Sequence, residues 1–160
     1  MNNIEKILSQ AFDLCEDGEL EKAIKMYDRA LSLDPHNLNA LIDKGVTLQN
    51  LDKLKQALRC FEKALVIDPK NINALVNRGA VLHGLGDFQK AILSYDEAIY
   101  IDKKCAMALA YKGLSLGELG SVEDALKYFK KALRIDKDCD IALINKQIAQ
   151  TLLKKSKSQI

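Results

Sequence analysis

The sequence predicts an all-α chain of repeated helix–turn–helix units. Three observations carry that prediction. The first is a period of 34 residues: Ala23, Ala57, Ala91 and Ala125 fall in register, as do Tyr27, Phe61, Tyr95 and Phe129, and then Ala30, Ala64, Ala98 and Ala132. The second is the apolar spacing within a copy. Leu41, Gly45 and Leu48, with Ile42 and Val46 alongside, follow the i, i+3, i+4, i+7 pattern of an amphipathic helix. The third is punctuation. Asp17-Gly18, Asp52-Lys53, Gly86-Asp87 and Gly120-Ser121 mark one turn in each copy, and Leu33-Asp34-Pro35 and Ile67-Asp68-Pro69 mark a second.

Taken in order, the repeats are expected at 4–37, 38–71, 72–105 and 106–139, each a pair of antiparallel helices. Every first helix should end at its turn signal, where glycine suits a residue of positive φ and Asp52 tolerates that region less well. The second helices then start near Leu20, Leu54, Phe88 and Val122. Pro35 and Pro69 stop the first two, because proline has no N–H to continue the ladder and disfavours helical geometry in the residue before it. Asn37 and Asn71 stand where the next helix wants an N-cap. Lys103 and Lys137 replace proline in copies three and four, so those turns should keep their shape with less rigidity. Gly45, Gly79 and Gly113 are expected to face Ala57, Ala91 and Ala125, with the repeated aromatics filling the space between successive pairs. The segment from Asp140 to Lys155 begins like a fifth first helix, with Ala142, Leu143, Gln147 and Leu153, and no second helix follows. It should cap the apolar side of the fourth repeat: Gln147 stands where the other copies have glycine, and Gln150 and Lys154 add the polarity that suits a cap. Residues 156–160 are expected to form a flexible basic tail.

The order small residue, alanine, aromatic, alanine, proline is carried in one copy by Gly45, Ala57, Phe61, Ala64 and Pro69. At this period it resembles the tetratricopeptide repeat, and the resemblance covers nearly the whole chain. It implies a right-handed α-solenoid of four units with a C-terminal capping helix. It also implies a binding scaffold whose concave wall is lined by the first helices. Mapped onto that wall, Ile42 and Val76 fall in one apolar column, and Phe12, Val46, Ala80 and Leu114 in another. Asn77 and Tyr111 fall in a polar column, and Asn77 is expected to hydrogen-bond the ligand backbone. These eight residues form the expected ligand groove, suited to a partner peptide or helix. Some members of the family clamp the carboxylates of chaperone tails with lysine, arginine and asparagine. The matching positions here are Leu8, Phe12, Asp43, Asn73 and Asn77, or Ile42, Val46, Asn77, Met107 and Tyr111, and neither set supplies a cation. That use is excluded.

Composition narrows the remaining classes. The formal net charge is +2, which is no footprint for nucleic acid. The four cysteines, Cys15, Cys60, Cys105 and Cys139, form no C-x-x-C pair, so no metal site is expected and reduced thiols in a cytoplasmic protein are. There is no secretory signal and no apolar run long enough to cross a bilayer. His36 and His83 are the only histidines, no phosphate loop or paired-carboxylate constellation appears, and neither enzyme activity nor a cofactor is expected. A different class stays open. Residues 4–37 carry eight acids and four bases, and residues 140–160 one acid and four bases. Such ends suit head-to-tail self-association into a homo-oligomer, given an apolar contact as well.

Overall fold

The structure, a computed structural model, describes residues 3–157. Among the described residues there are nine helices and no strand: α1 (Asn3–Glu16), α2 (Leu20–Leu33), α3 (Leu38–Asn50), α4 (Leu54–Ile67), α5 (Ile72–Gly84), α6 (Phe88–Ile101), α7 (Ala106–Glu118), α8 (Val122–Ile135) and α9 (Asp140–Lys157). They form an all-α repeat of four hairpins followed by one helix. The chain divides into two compact units, Met1–Val81 and Leu82–Ile160, with the division inside α5.

The hairpin turns follow one local design. Gly18, Asp52, Gly86 and Gly120 have φ of 77°, 56°, 80° and 80°. Each first helix closes with the same pair of backbone bonds. Glu19 N–H donates to Leu14 O at 2.8 Å while Gly18 N–H donates to Cys15 O at 3.1 Å, and the other three turns repeat both bonds. That is the Schellman arrangement, in which a left-handed residue turns the chain back on its own orphan carbonyls. The connections between hairpins are aspartate turns. The carboxylates of Asp34, Asp68, Asp102 and Asp136 each accept from the backbone N–H two residues on, at 3.2, 3.1, 2.8 and 3.0 Å. The last two turns keep this bond without proline. Asn37 and Asn71 cap α3 and α5, accepting from Ala40 N–H and Ala74 N–H at 3.0 Å each.

Core packing corrects one expectation. Gly45 does not mainly accommodate Ala57: a Cβ at Gly45 would lie 2.7 Å from Phe61 Cε1, and one at Gly113 would lie 2.6 Å from Phe129 Cε1. The glycine makes room for the aromatic of its own hairpin, and the same rings also fill the space toward the next element as expected, Phe61 in one cluster with Val81 on α5 and Phe129 in one with Ala142 and Ala149 on α9. The residue facing Ala125 is Gly117, one turn later, whose Cβ would sit 4.0 Å from the alanine methyl.

In the first unit, buried Ala11 and Ala23 surround Tyr27, and Leu48, Ala57, Cys60, Phe61 and Val81 form a second cluster. In the second, α9 contributes Ala142 and Ala149 to a cluster with Ala125, Phe129 and Ala132, as a cap should. This helix runs to Lys157, two residues beyond the expected end, so Ser156 closes the helix instead of opening a tail. Residues 158–160 of the expected tail lie outside the described residues.

Candidate functional site

The first helices carry the candidate site, described one unit at a time. In the first unit Phe12 on α1 is 60% exposed. Ile42 and Val46 on α3 are half-buried, their inner sides packed on the cluster of Leu48, Phe61 and Val81. A four-residue spacing puts both on one face of the helix. Val76, Asn77 and Ala80 on α5 are half-buried as well. Each of these apolar side chains therefore serves the wall with part of its surface and leaves the rest to solvent.

The amide of Asn77 is used differently from the expectation. Its Nδ2 donates to Asn73 O at 2.9 Å, one turn back along α5. The NH2 group is thus spent on its own helix, and Oδ1 is the atom left for a ligand. Asp43 is exposed, and desolvation by the surrounding helices raises its carboxyl above the ordinary range.

Behind this face lies a polar bridge that sequence reading missed. Thr47, on α3, is buried and donates to Asp43 O at 2.8 Å. Its hydroxyl is 3.5 Å from Cys15 Sγ, which is 3.7 Å from Tyr27 Oη. Burial first, and the Cys15 thiol second, push the Tyr27 phenol well up.

In the second unit Tyr111 is half-buried and stacks on Tyr95, with centroids 5.9 Å apart at 14°. Tyr95 is fully buried, and its hydroxyl has no hydrogen-bond partner among the described residues. Burial pushes its phenol well up. Leu114 is half-buried and lines a cavity of about 160 Å³ with Val122, Phe129, Ile148 and Leu152, between α7, α8 and α9. His83, half-buried, has Nδ1 2.9 Å from Ser115 Oγ and lies edge-on to Phe88 at 5.1 Å. Ser115 is completely buried, so this contact joins α5 to α7 and presents no nucleophile to solvent. Cys15 with Thr47 and His83 with Ser115 occupy matching positions 68 residues apart. A hydroxyl at both 47 and 115, inside an otherwise apolar face, was the available signal.

Among the described residues no group of three or more His, Cys, Asp or Glu is placed to hold a metal ion. None of the described helices is long and apolar enough to cross a membrane. All four cysteines are free thiols.

Family models described as tetratricopeptide repeat match residues 14–74, 60–92 and 108–139. A comparison with curated proteins found no match. Among solved structures, PilF of Pseudomonas aeruginosa is similar at a TM-score of 0.85 and 21% identity, over 95% of this chain and 69% of that one. The MamA protein aligns at 0.81 and 22% identity, over 91% and 80%. YrrB, described as a tetratricopeptide protein with an unusual peptide-binding site, aligns at 0.74 and 26% identity, over 92% and 76%.

Proposed function

Because the chain belongs to the tetratricopeptide repeat family, whose members are protein-interaction scaffolds, we propose that it binds a peptide or helix of a partner protein along its first helices and has no catalytic role. One observation carries this reading. In the first unit, Phe12 is exposed while Ile42 and Val46 keep one side in the wall and the other toward solvent. Apolar side chains anchored in this way are already ordered, so a partner that covers them gains burial with little further loss of side-chain freedom. Val76 and Ala80 extend the apolar surface, and Asn77 Oδ1 accepts from a ligand N–H. In the second unit Tyr111 and Leu114 play the same parts, a stacked ring and an aliphatic anchor. The peptide-binding site named for YrrB supports a peptide ligand. The chemistry is not that of a carboxylate clamp: the matching positions supply no cation, and Asp43 among them is an acid.

The test is a comparison of the native protein with a Val46→Glu, Ala80→Glu double variant. Both are used to capture partners from a native lysate, which are then identified by mass spectrometry. The reading expects a protein held by the native chain and bound roughly 100-fold or more weakly by the variant, because two unpaired carboxylates are desolvated on binding. Equal capture by both forms, with helical circular dichroism unchanged, removes the first-helix face as the site.

A second reading is head-to-tail self-association, and one feature favours it. Ile144, Ile148 and Leu152 on α9 are 60%, 51% and 50% exposed, the apolar contact that opposite end charges alone do not supply. Sedimentation across protein and salt concentration decides it, and a monomer throughout rejects it.

A further inference from the structure

One place in the repeat is filled in the second unit and open in the first. On α8 the ring of Tyr128 faces two ammonium groups, with Lys112 Nζ 4.4 Å and Lys131 Nζ 4.8 Å from its centroid. Around it Lys112 pairs with Asp96 at 2.5 Å and Lys127 with Asp124 at 2.9 Å. Sixty-eight residues earlier the sequence supplies the same frame: Lys44 for Lys112, Asp28 for Asp96, Lys63 for Lys131 and Arg59 for Lys127. Lys44 again pairs with Asp28 at 2.5 Å. Two positions differ. Cys60 stands where Tyr128 stands, and Gln56 stands where Asp124 stands.

Both differences leave something without its counterpart. The thiol cannot occupy the place of a phenol ring, and a cavity of about 280 Å³ opens against Leu41, Lys44, Arg59, Cys60 and Lys63. Gln56 offers no charge to Arg59. Neither Arg59 nor Lys63 makes an ion pair among the described residues. Burial pushes the Cys60 thiol up, and the charges of Lys44 and Lys63 act against that rise, so both ammonium groups bear on the sulfur. A second cavity of about 260 Å³ shares Leu41 and Lys63 and continues past Pro35, Val66 and Ile67. Val66 on its edge is 84% exposed. Two adjoining cavities that share Leu41 and Lys63 offer more room than a single small anion fills.

We infer that this cleft of α2, α3 and α4 binds a partner peptide through an aromatic side chain flanked by an acidic residue. The ring enters over Cys60 between Lys44 and Lys63, as Tyr128 does between Lys112 and Lys131, where cation–π attraction and the apolar floor of Leu41 and Leu48 hold it. The neighbouring carboxylate pairs with Arg59, in the role that Asp124 has for Lys127. Phosphate alone would satisfy the charges and leave the apolar floor uncovered. Lys44 projects from the opposite side of α3 to Ile42 and Val46, so this site is separate from the first-helix face and does not depend on it.

The experiment titrates the ¹⁵N-labelled full chain with acetylated, amidated Asp-Phe-Asp, and with Asp-Ala-Asp and Asn-Phe-Asn as controls. Saturating shifts of the Arg59, Cys60 and Lys63 amides are expected with Asp-Phe-Asp, with binding roughly tenfold or more weaker for each control. Cys60→Tyr should abolish binding, because the protein's own ring then fills the cleft. The exposed pair Arg59→Ala, Lys63→Ala should weaken it at least about tenfold, which tests the site even where the tyrosine variant fails to fold. The Val46→Glu, Ala80→Glu variant should bind the peptide as the native chain does, so failure of the first-helix reading leaves this result standing. No shift at those three amides overturns the proposal. So does an equal response to Asp-Ala-Asp, or undiminished binding by the folded cleft variants.

Discussion

At Gly113 a single hydrogen decides how closely Phe129 approaches α7. Two effects oppose each other when alanine replaces it. Helix propensity favours alanine by about 1 kcal/mol. A methyl 2.6 Å from a buried ring overpacks the hairpin, at about 1–3 kcal/mol. Phe129 is buried on α8 and cannot swing away, so the steric term wins. Gly113→Ala should lose about 1–2 kcal/mol in urea unfolding. Gly117→Ala, where the methyl meets Ala125 at 4.0 Å, should gain up to about 1 kcal/mol. Equal effects at the two glycines would refute this packing account. Asp43 gives a pH-dependent case. Desolvation by the neighbouring helices holds its folded carboxyl above the ordinary range although the residue itself is exposed, so the folded chain binds that proton slightly more tightly than the unfolded one and the effect is small. Its contribution to stability is complete below the unfolded pKa, about 4, and is lost as pH rises through the folded value. Asp43→Asn should therefore raise Tm at pH 7, and the gain should fade as the pH falls below about 4. A gain that persists at pH 3 would place its cause elsewhere.

The turns show what an element takes from its local sequence. Positive φ at Gly18, Asp52, Gly86 and Gly120, and carboxylate acceptance at Asp34, Asp68, Asp102 and Asp136, are needs of a few consecutive residues. They were therefore legible without any knowledge of packing. The partner of Gly45 was not. A periodic small residue states that space is required, and the direction of the Phe61 ring, which comes from the packed hairpin, decides which neighbour uses it. The bond from Asn77 to Asn73 was hidden for a related reason, since an amide serves its own helix or a ligand equally well on paper. The caps yield a prediction. Cys105 begins α7 with the extended geometry of an N-cap and no side-chain bond, where Asn37 and Asn71 bond the N–H three residues on. Cys105→Asn should supply that bond to Ala108 and gain about 1 kcal/mol in thermal or urea unfolding. Cys139→Asn should give no such gain, because Cys139 is buried among Ala132 and Ala142 and an amide there loses apolar packing. Equal gains at both positions would show that burial at Cys139 contributes little.

Across the whole molecule, the period made the helices and their number legible, while the binding surface was legible only as residue columns. The eight groove residues stand on first helices, yet Ile42, Val46 and Leu114 among them also pack into the wall, and the sequence does not apportion a side chain between wall and ligand. The cleft around Cys60 escaped notice because it appears only when copies two apart are compared. Repeat architecture also sets how stability is distributed, since each hairpin is supported by its immediate neighbours. The last hairpin has α9 as its cover: Ala142 and Ala149 close over Phe129 and Ala132, and Ile148 and Leu152 bound the cavity beside Leu114. Deleting residues 140–160 uncovers that cluster. Native-state hydrogen exchange should then show α7 and α8 losing protection while α1 to α3 keep theirs, because the clusters of Ala11 with Tyr27 and of Ile7 with Ala30 contain nothing from α9. If protection falls equally in α2 and α8, the chain unfolds as one cooperative body and the neighbour-by-neighbour account is wrong.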